Sequence, residues 1–375
     1  MRGKDRTEQD HYNREMNGTE RSPLLSAVLL IILLTLVFPF HASADVEKIS
    51  LAIFPFNNIG DDSLDMQMPA LLYSRLSQES FLEIVPVEVI REKLYDIEPQ
   101  YMWAEQKDAV KKGGIFWKIE PRIIKRVDDM VSARFSIYGD IVKFNDSWHV
   151  DVYFMRERDP DSEKSFHLAG VRGDDIPLKM GDIARAIADL LREEHIISVA
   201  EEEMRLTLGG IYSYDTAIKK LERHVNDYPG SVPLRALLLD LCLKEKGTHI
   251  DSIMNNGLTI MKLLEQRNED GRRYLLSLSL DPFDTVASVY EKRKKWEDAI
   301  SVRNSALRVF LFNERLHKKA LGEDYYRLAG ESEINGGQAN AAEHYRKAIE
   351  YLDPSSEYYR MAVERMKRLG ESSGH

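Results

Sequence analysis

The chain has 375 residues, 43% apolar and 30% charged, a balance typical of globular proteins and enough for two domains of ordinary size. Its formal charge of −10 disfavours nucleic acid as a partner, because duplex binding needs a basic face that displaces counterions. The single cysteine, Cys242, excludes an intramolecular disulfide and any metal site built from several cysteines.

The N-terminal part carries a membrane-directed segment. Residues 24–40 are apolar and uncharged, and as a helix they span roughly 25 Å, less than the roughly 30 Å hydrocarbon core of a bilayer. Pro39 interrupts the run, and His41-Ala-Ser-Ala44 has the small residues of a signal peptidase site. We therefore expect export to the bacterial periplasm, with residues 1–44 as a signal peptide cleaved after Ala44. The preceding head is long for a signal peptide, so an uncleaved inner-membrane anchor stays open as the alternative.

The next stretch predicts the opening of an α/β domain. Residues 49–56 are apolar without alternation, as in a strand covered on both faces. An apolar stripe at helical spacing follows over residues 64–76, then a short strand at 81–85 and a helix at 86–94. This β-α-β-α order favours a sheet with parallel pairs. Residues 96–131 give no clear pattern, and their second half fits either a strand or a helix.

A hairpin and a covering helix complete the predicted domain. Apolar and polar residues alternate on both sides of the turn Asn145-Asp-Ser147, which is the pattern of a β-hairpin. A third strand is predicted at residues 165–171. Residues 180–191 carry an apolar stripe at helical spacing and predict a helix that covers the sheet.

This order resembles the TolB amino-terminal domain family, which occurs in flagellar, curli-associated and penicillin-binding-protein-activating envelope proteins. The resemblance covers residues 45–197 and departs from the family in the long sector between Asp96 and Val131. It implies an α/β (α+β) domain with a mixed sheet that binds in the envelope and catalyses no reaction. The matching motifs are Phe54-Pro-Phe56-Asn57, Leu72-Tyr-Ser-Arg-Leu76, Tyr138-Gly-Asp-Ile141 and Asp182-Ile-Ala-Arg-Ala-Ile187.

Residues 198–370 predict an all-α second domain. A weak internal repeat resembles the tetratricopeptide pattern, in which two helices cross at small residues and aromatic side chains fill the gap. Such helical-repeat arrays present a concave surface to a partner. The clearest copy consists of Tyr325, Leu328, Ala329, Gly336, Ala341, Tyr345 and Ala348. A second copy has Ala287, Tyr290, Trp296, Ala299 and Ala306, with Arg303 where an aromatic residue is expected.

The repeats predict a partner-binding groove on the inner helices. Under this interpretation the side chains that face the groove are Asp284, Ser288, Glu291, Tyr326 and Glu333. We expect charge reversal at Glu291 together with Glu333 to weaken partner capture and to leave thermal unfolding unchanged. The basic run at residues 292–295 is interpreted mainly as a solvated face, with an anionic partner as the alternative.

No motif for catalysis, a cofactor or a metal is found in the sequence. There is no phosphate-binding loop, nucleophile elbow or paired-histidine zinc helix. His149 and His167 lie on neighbouring predicted strands, but two histidines without a third ligand make a poor zinc site. We therefore expect an exported envelope scaffold that binds one or more envelope proteins without catalysis. The alternative is an accessory subunit of secretion, flagellar or cell-wall machinery that binds through its α/β domain. A hydrolase of envelope polymers is a third class, for which the sequence offers no defensible nucleophile.

Overall fold

The computed structural model describes residues 48–59, 67–97, 119–156, 159–245, 249–310 and 313–372. They belong to one compact unit that runs from Val46 to His375. The predicted membrane-directed segment and its cleavage site lie outside the described residues, as do the first residues of the helix predicted from position 64. Among the helices that are described, none is long and apolar enough to cross a membrane.

The N-terminal part contains the predicted mixed sheet. Its strands run in the order β3-β1-β4-β5-β6, and β2 continues the line of β1 alongside β4. β1 is parallel to both β3 and β4, whereas β4, β5 and β6 are antiparallel to one another. The strands are β1 (Ile49–Ile53), β2 (Asn57–Ile59), β3 (Leu82–Ile84), β4 (Phe135–Phe144), β5 (Ser147–Arg156) and β6 (Asp159–Val171).

Helices cover both faces of this sheet. One face packs against α1 (Gln67–Leu76) and α4 (Ile176–Leu208), and the other against α2 (Val87–Ile97) and α3 (Pro121–Val131). The two faces follow from the alternation of side chains along a strand: Leu51 and Ile53 of β1 point to the first layer, while Ala52 points to the second. Residues 96–131 have no clear pattern in the sequence, but their second half includes a helix, α3. Its apolar side chains pack on the second face of the sheet.

α4 is 33 residues long and continues through the predicted domain boundary at residue 197. Its first half, including Ile187 and Leu191, packs in the sheet core. Its second half, including Ala200 and Met204, packs in the core of the helical part. The charged residues 201–203, which mark the end of the β pattern in the sequence, are one stretch of this continuous helix. The two parts of the protein thus share one structural element.

The rest of the chain is helical. Side chains that accept hydrogen bonds from the first turn define several helix starts, among them Ser213, Ser231, Asn268 and Asp281. From α9 onward each helix packs against the next one in sequence. The helices are α5 (Tyr214–Asp227), α6 (Val232–Lys244), α7 (Ile250–Glu265), α8 (Glu269–Ser277), α9 (Pro282–Lys292), α10 (Trp296–Val309), α11 (Glu314–Ile334), α12 (Gln338–Tyr351) and α13 (Glu357–Ser372).

Candidate functional site

The structure brings the five predicted groove residues together in two groups. Asp284, Ser288 and Glu291 lie on one face of α9, at spacings of four and three residues. Tyr326 and Glu333 lie seven residues apart on α11. Four of these five side chains contact neighbouring helices, so the groups also hold the helical part together.

The first group surrounds Arg303 of α10, and we call Asp284, Glu291, Arg303, His317 and Asp324 the Arg303 cluster. Arg303 is only 2% exposed. Its Nη1 donates to Asp284 Oδ1 at 2.9 Å, and its Nε donates to Asp324 Oδ2 at 3.1 Å and to Glu291 Oε1 at 3.2 Å. One guanidinium therefore ties α9 and α11 to α10. Three carboxylates share this single cation, which leaves the cluster acidic.

A buried histidine extends the cluster toward the start of α9. Nη1 of Arg303 lies 3.4 Å from His317 Nδ1, and His317 Nε2 lies 2.9 Å from Asp281 Oδ2. Since a guanidinium only donates, Nδ1 accepts and Nε2 carries the proton that it donates to Asp281. Burial opposes ionisation of Asp281, but hydrogen bonds from His317 and from the backbone N–H of Asp284 outweigh it and lower the pKa.

Asp324 is a buried carboxyl of the cluster whose pKa is raised towards neutrality. It is 1% exposed. Burial and the charge of Glu291 raise the pKa of Asp324 to about 7, although Arg303 and Arg327 act in the opposite direction. Its protonation therefore changes the net charge of the cluster near neutral pH.

The second group is aromatic. The Tyr326 ring lies 5.6 Å from that of Tyr345 and 5.3 Å from that of Tyr358, measured between centroids. Glu333 accepts a 3.0 Å hydrogen bond from the Tyr345 hydroxyl and a 3.2 Å bond from Arg365 Nη1. These contacts join α11 to α12 and α13. Glu333 is therefore paired with other side chains of the protein, and Glu291 is likewise paired with Arg303.

Arg327 connects the two groups. Its guanidinium lies 5.1 Å from the centre of the Trp296 ring, and it also interacts with the hydroxyl of Tyr358. The indole N–H of Trp296 donates to Glu331 at 2.7 Å. Polar and aromatic contacts therefore connect α11 with α10 and α13 beside the predicted groove residues. Within the described part of the chain, Ser288 alone of the five predicted residues has no polar or ring contact.

A separate cleft lies where the sheet meets the helical part. It has a volume of about 250 Å³ and combines side chains from β4, β5 and β6 with residues of α4 and of the starts of α6 and α8. Its floor is apolar: the rings of Phe135 and Phe154 stack 5.4 Å apart, and Leu190 and Val232 lie beside them. Its lining also carries charged side chains of both signs.

Three side chains, Asp151, His167 and Ser165, form a row of hydrogen bonds on one face of the sheet. Another part of the same face packs against α2 and α3. Asp151 Oδ1 lies 2.7 Å from His167 Nδ1, and His167 Nε2 lies 3.0 Å from Ser165 Oγ. Carboxylate, imidazole and hydroxyl occur in this order in serine hydrolases. Here the side chain of His167 is 62% exposed, and none of the three residues lines the cleft. We interpret this row as cross-strand pairing on a solvated face.

The sequence could not identify this pairing because it does not fix the register between adjacent strands. His149 and His167 lie on adjacent strands, as predicted, but the residue directly opposite His167 is Asp151. In the described residues, no group of three histidine, cysteine, aspartate or glutamate side chains could hold a metal ion.

No model of a known protein family matches this chain, and no curated protein matches it either.

Proposed function

We propose that the protein is an exported scaffold of the bacterial envelope that captures a protein partner through its helical part, without catalysis. One observation carries the proposal: acidic and aromatic side chains of α9, α11 and α13, among them Glu291, Tyr326 and Glu333, are held in place by contacts with neighbouring helices. Tyrosine, tryptophan and arginine are the residues that most often dominate protein interfaces. Export is supported by the apolar segment at residues 24–40.

We further propose that α9–α13 are tetratricopeptide-like repeats. The small residues expected at helix crossings are buried, among them Ala287, Ala299, Ala329 and Ala341. Tyr345, expected to fill the gap between two helices, is 2% exposed. Arg303 takes the aromatic position of the other copy and fills that gap with ion pairs instead. Repeats of this kind stack into solenoids whose inner helices meet the partner.

A second candidate is an accessory subunit of a secretion, flagellar or cell-wall assembly that binds through its α/β domain. The cleft at the end of the sheet favours it, because ligand sites occur preferentially where domains meet. Deleting residues 198–375 is a poor test of this candidate, since the cut would fall inside α4 and expose Ala200 and Met204 of the helical core. Substitutions on each surface separate the two candidates better.

The identity of the partner is tested by crosslinking the full chain in cells and analysing the purified envelope fraction by mass spectrometry. The scaffold proposal predicts one dominant protein partner, absent when an unrelated exported protein is used as bait. If only scattered abundant envelope proteins are found, at the level seen with the unrelated bait, the proposal is contradicted.

A further inference from the structure

We propose that the turn between α11 and α12 is a site of covalent modification, where Asn335 converts to aspartate or isoaspartate without an enzyme. The reaction is deamidation through a cyclic imide, and it requires an asparagine side chain that can meet the backbone nitrogen of the next residue. The inference does not depend on partner capture. It rests on the contrast between Asn335 and a second asparagine that is also followed by glycine.

The sequence contains the dipeptide Asn-Gly at three places. Glycine hinders an approach to its backbone nitrogen least, because it has no side chain and the widest choice of backbone angles. Asn17-Gly18 lies outside the described residues, Asn256-Gly257 lies within α7, and Asn335-Gly336 directly follows α11. The structure distinguishes the last two, which the sequence alone does not.

The surroundings of Asn335 leave its side chain free to react. Asn335 and Gly336 are both exposed, and the side-chain amide of Asn335 makes no hydrogen bond with any part of the chain that the structure describes. Gly336 has a positive φ of 77°, and a Cβ placed on it would have no atom within 4 Å. The space beside this peptide bond is therefore open to the ring that the reaction forms.

One hydrogen bond opposes the reaction at this turn. The backbone N–H of Gly336 donates to the carbonyl of Glu333 at 3.1 Å, and this bond must break before the nitrogen can attack. It belongs to the last turn of α11, and helix ends open locally at little cost in free energy. The bond therefore slows the reaction at Asn335 only slightly.

Asn256 has the same neighbour but is held fast inside α7. It is 3% exposed, its Oδ1 accepts a 3.0 Å hydrogen bond from Arg235 Nη1, and its Nδ2 donates to the carbonyl of Ser252 at 2.9 Å. A Cβ on Gly257 would lie 2.4 Å from Cγ2 of Val286, so the backbone has no room to rotate toward the side chain. Asn256 can react only after this part of α7 has unfolded.

The reaction at Asn335 needs water as its only co-reactant. The backbone nitrogen of Gly336 forms a bond with Cγ of Asn335, the bond between Cγ and the amide nitrogen breaks, and ammonia leaves with the proton of the Gly336 N–H. Water then opens the five-membered imide at either of its two carbonyl carbons. Opening at one carbonyl gives aspartate, and opening at the other gives isoaspartate, in which the main chain runs through the former side chain.

The product changes the charge at the end of α11. A carboxylate at position 335 lies at the C-terminal end of a helix, where the helix dipole disfavours negative charge. Isoaspartate also lengthens the backbone of a turn in which the N–H of Gly337 donates to the carbonyl of Ser332 at 2.8 Å. We therefore expect the converted protein to be a more acidic form with a lower midpoint of thermal unfolding.

The proposal is tested by incubating the purified full chain in mildly alkaline buffer and following each asparagine by peptide mass spectrometry. We expect conversion at least about tenfold faster at Asn335 than at Asn256 in the folded protein. In denaturant the two should convert at similar rates, because the fold no longer separates them. The proposal is overturned if Asn335 converts no faster than Asn256 in the folded protein, or if the same ratio persists in denaturant.

Two variants assign the acidic form to this turn. Asn335→Gln keeps the side-chain amide but would need a six-membered ring, so we expect no conversion at position 335 over the same time. Asn340→Gln is the matched control, since Asn340 is exposed on α12 and is followed by alanine. This control should convert Asn335 at the rate of the wild type. Equal yields of the acidic form from Asn335→Gln and Asn340→Gln would also overturn the proposal.

Discussion

At the scale of single residues, Arg303 is a buried cation between α9 and α11. The repeat that we propose for α9–α13 calls for an aromatic residue at this position. A buried cation is stable only when carboxylates compensate for its lost hydration. Asp284 and Glu291 of α9 supply this compensation, and Asp324 of α11 accepts a further hydrogen bond from the guanidinium. Asp284 and Glu291 are therefore needed for packing as well as being partly exposed.

This geometry changes the expected result of reversing charges at Glu291 and Glu333. A lysine at position 291 would face the buried guanidinium of Arg303, and one at position 333 would face Arg365. Breaking a buried ion pair by removing one partner costs roughly 3–5 kcal/mol. We now expect Glu291→Lys to lower the midpoint of thermal unfolding, so it cannot report on partner capture alone. Glu357→Lys at the exposed start of α13 is a suitable control for charge.

Asp324 makes the stability of the helical part depend on pH. Its pKa is raised from 3.8 to about 7 on folding, so the folded state holds an extra proton between these values. The free energy of unfolding therefore falls as pH rises from about 4 to about 7, and the loss is complete above that. Asp324→Asn mimics the protonated carboxyl and keeps an acceptor for Arg303. We expect it to be more stable than the wild type at pH 8 by about 2–4 kcal/mol and nearly equal to it at pH 4.

Denaturant unfolding at several pH values measures this difference. Asp129→Asn, at an exposed position near the end of α3, is the control and should follow the wild type at every pH. If the free energy of unfolding changed with pH in the same way for Asp324→Asn and the wild type, the raised pKa of the buried Asp324 carboxyl would be contradicted.

At the scale of elements, the sequence predicts the regular strands and helices better than the places where they are interrupted. The hairpin of β4 and β5 follows from two alternating runs around Asn145, which has the positive φ of 55° that asparagine tolerates. The register shift of β5 and β6 and the full length of α4 could not be predicted. Both depend on contacts between distant residues, and residues 201–203 give α4 a local pattern that suggests a boundary.

Gly139 of β4 marks a close approach within the sheet. A Cβ at this position would overlap the carbonyl oxygen of Asp151 and lie 2.6 Å from the Phe56 ring. We expect Gly139→Ala to lower the free energy of unfolding by about 1–3 kcal/mol, because the neighbouring strand and ring must shift. Gly181 of α4 has no atom within 4 Å of such a Cβ. Gly181→Ala should instead stabilise by about 0.5–1 kcal/mol. Chemical denaturation measures the free energy of unfolding of both variants. Equal changes in Gly139→Ala and Gly181→Ala would contradict the close packing around Gly139.

At the scale of the whole molecule, α4 links the sheet core to the helical core. Because Leu191 and Met204 are parts of one helix, we expect the two cores of the wild type to unfold together. Ser198 lies between them, and its hydroxyl donates to the carbonyl of Glu194 at 3.1 Å. Ser198→Pro removes a helical hydrogen bond and costs roughly 3 kcal/mol.

Differential scanning calorimetry should show one transition for the wild type and two for Ser198→Pro. Ser198→Ala removes only the side-chain hydrogen bond and should keep the single transition. A single, unshifted transition in the proline variant would mean that α4 does not couple the two cores.

The scaffold proposal depends on one face of the helical part, and site-specific photo-crosslinking in cells tests that face most directly. A photo-crosslinking residue is placed at Ser288, on the groove face of α9, and in a matched variant at Ser301, which is exposed on α10. Both variants should have the thermal unfolding of the wild type. We expect one strong crosslinked product from position 288 and at most a trace from position 301. Equal yields at the two positions, or no product at 288, would contradict partner capture by this surface.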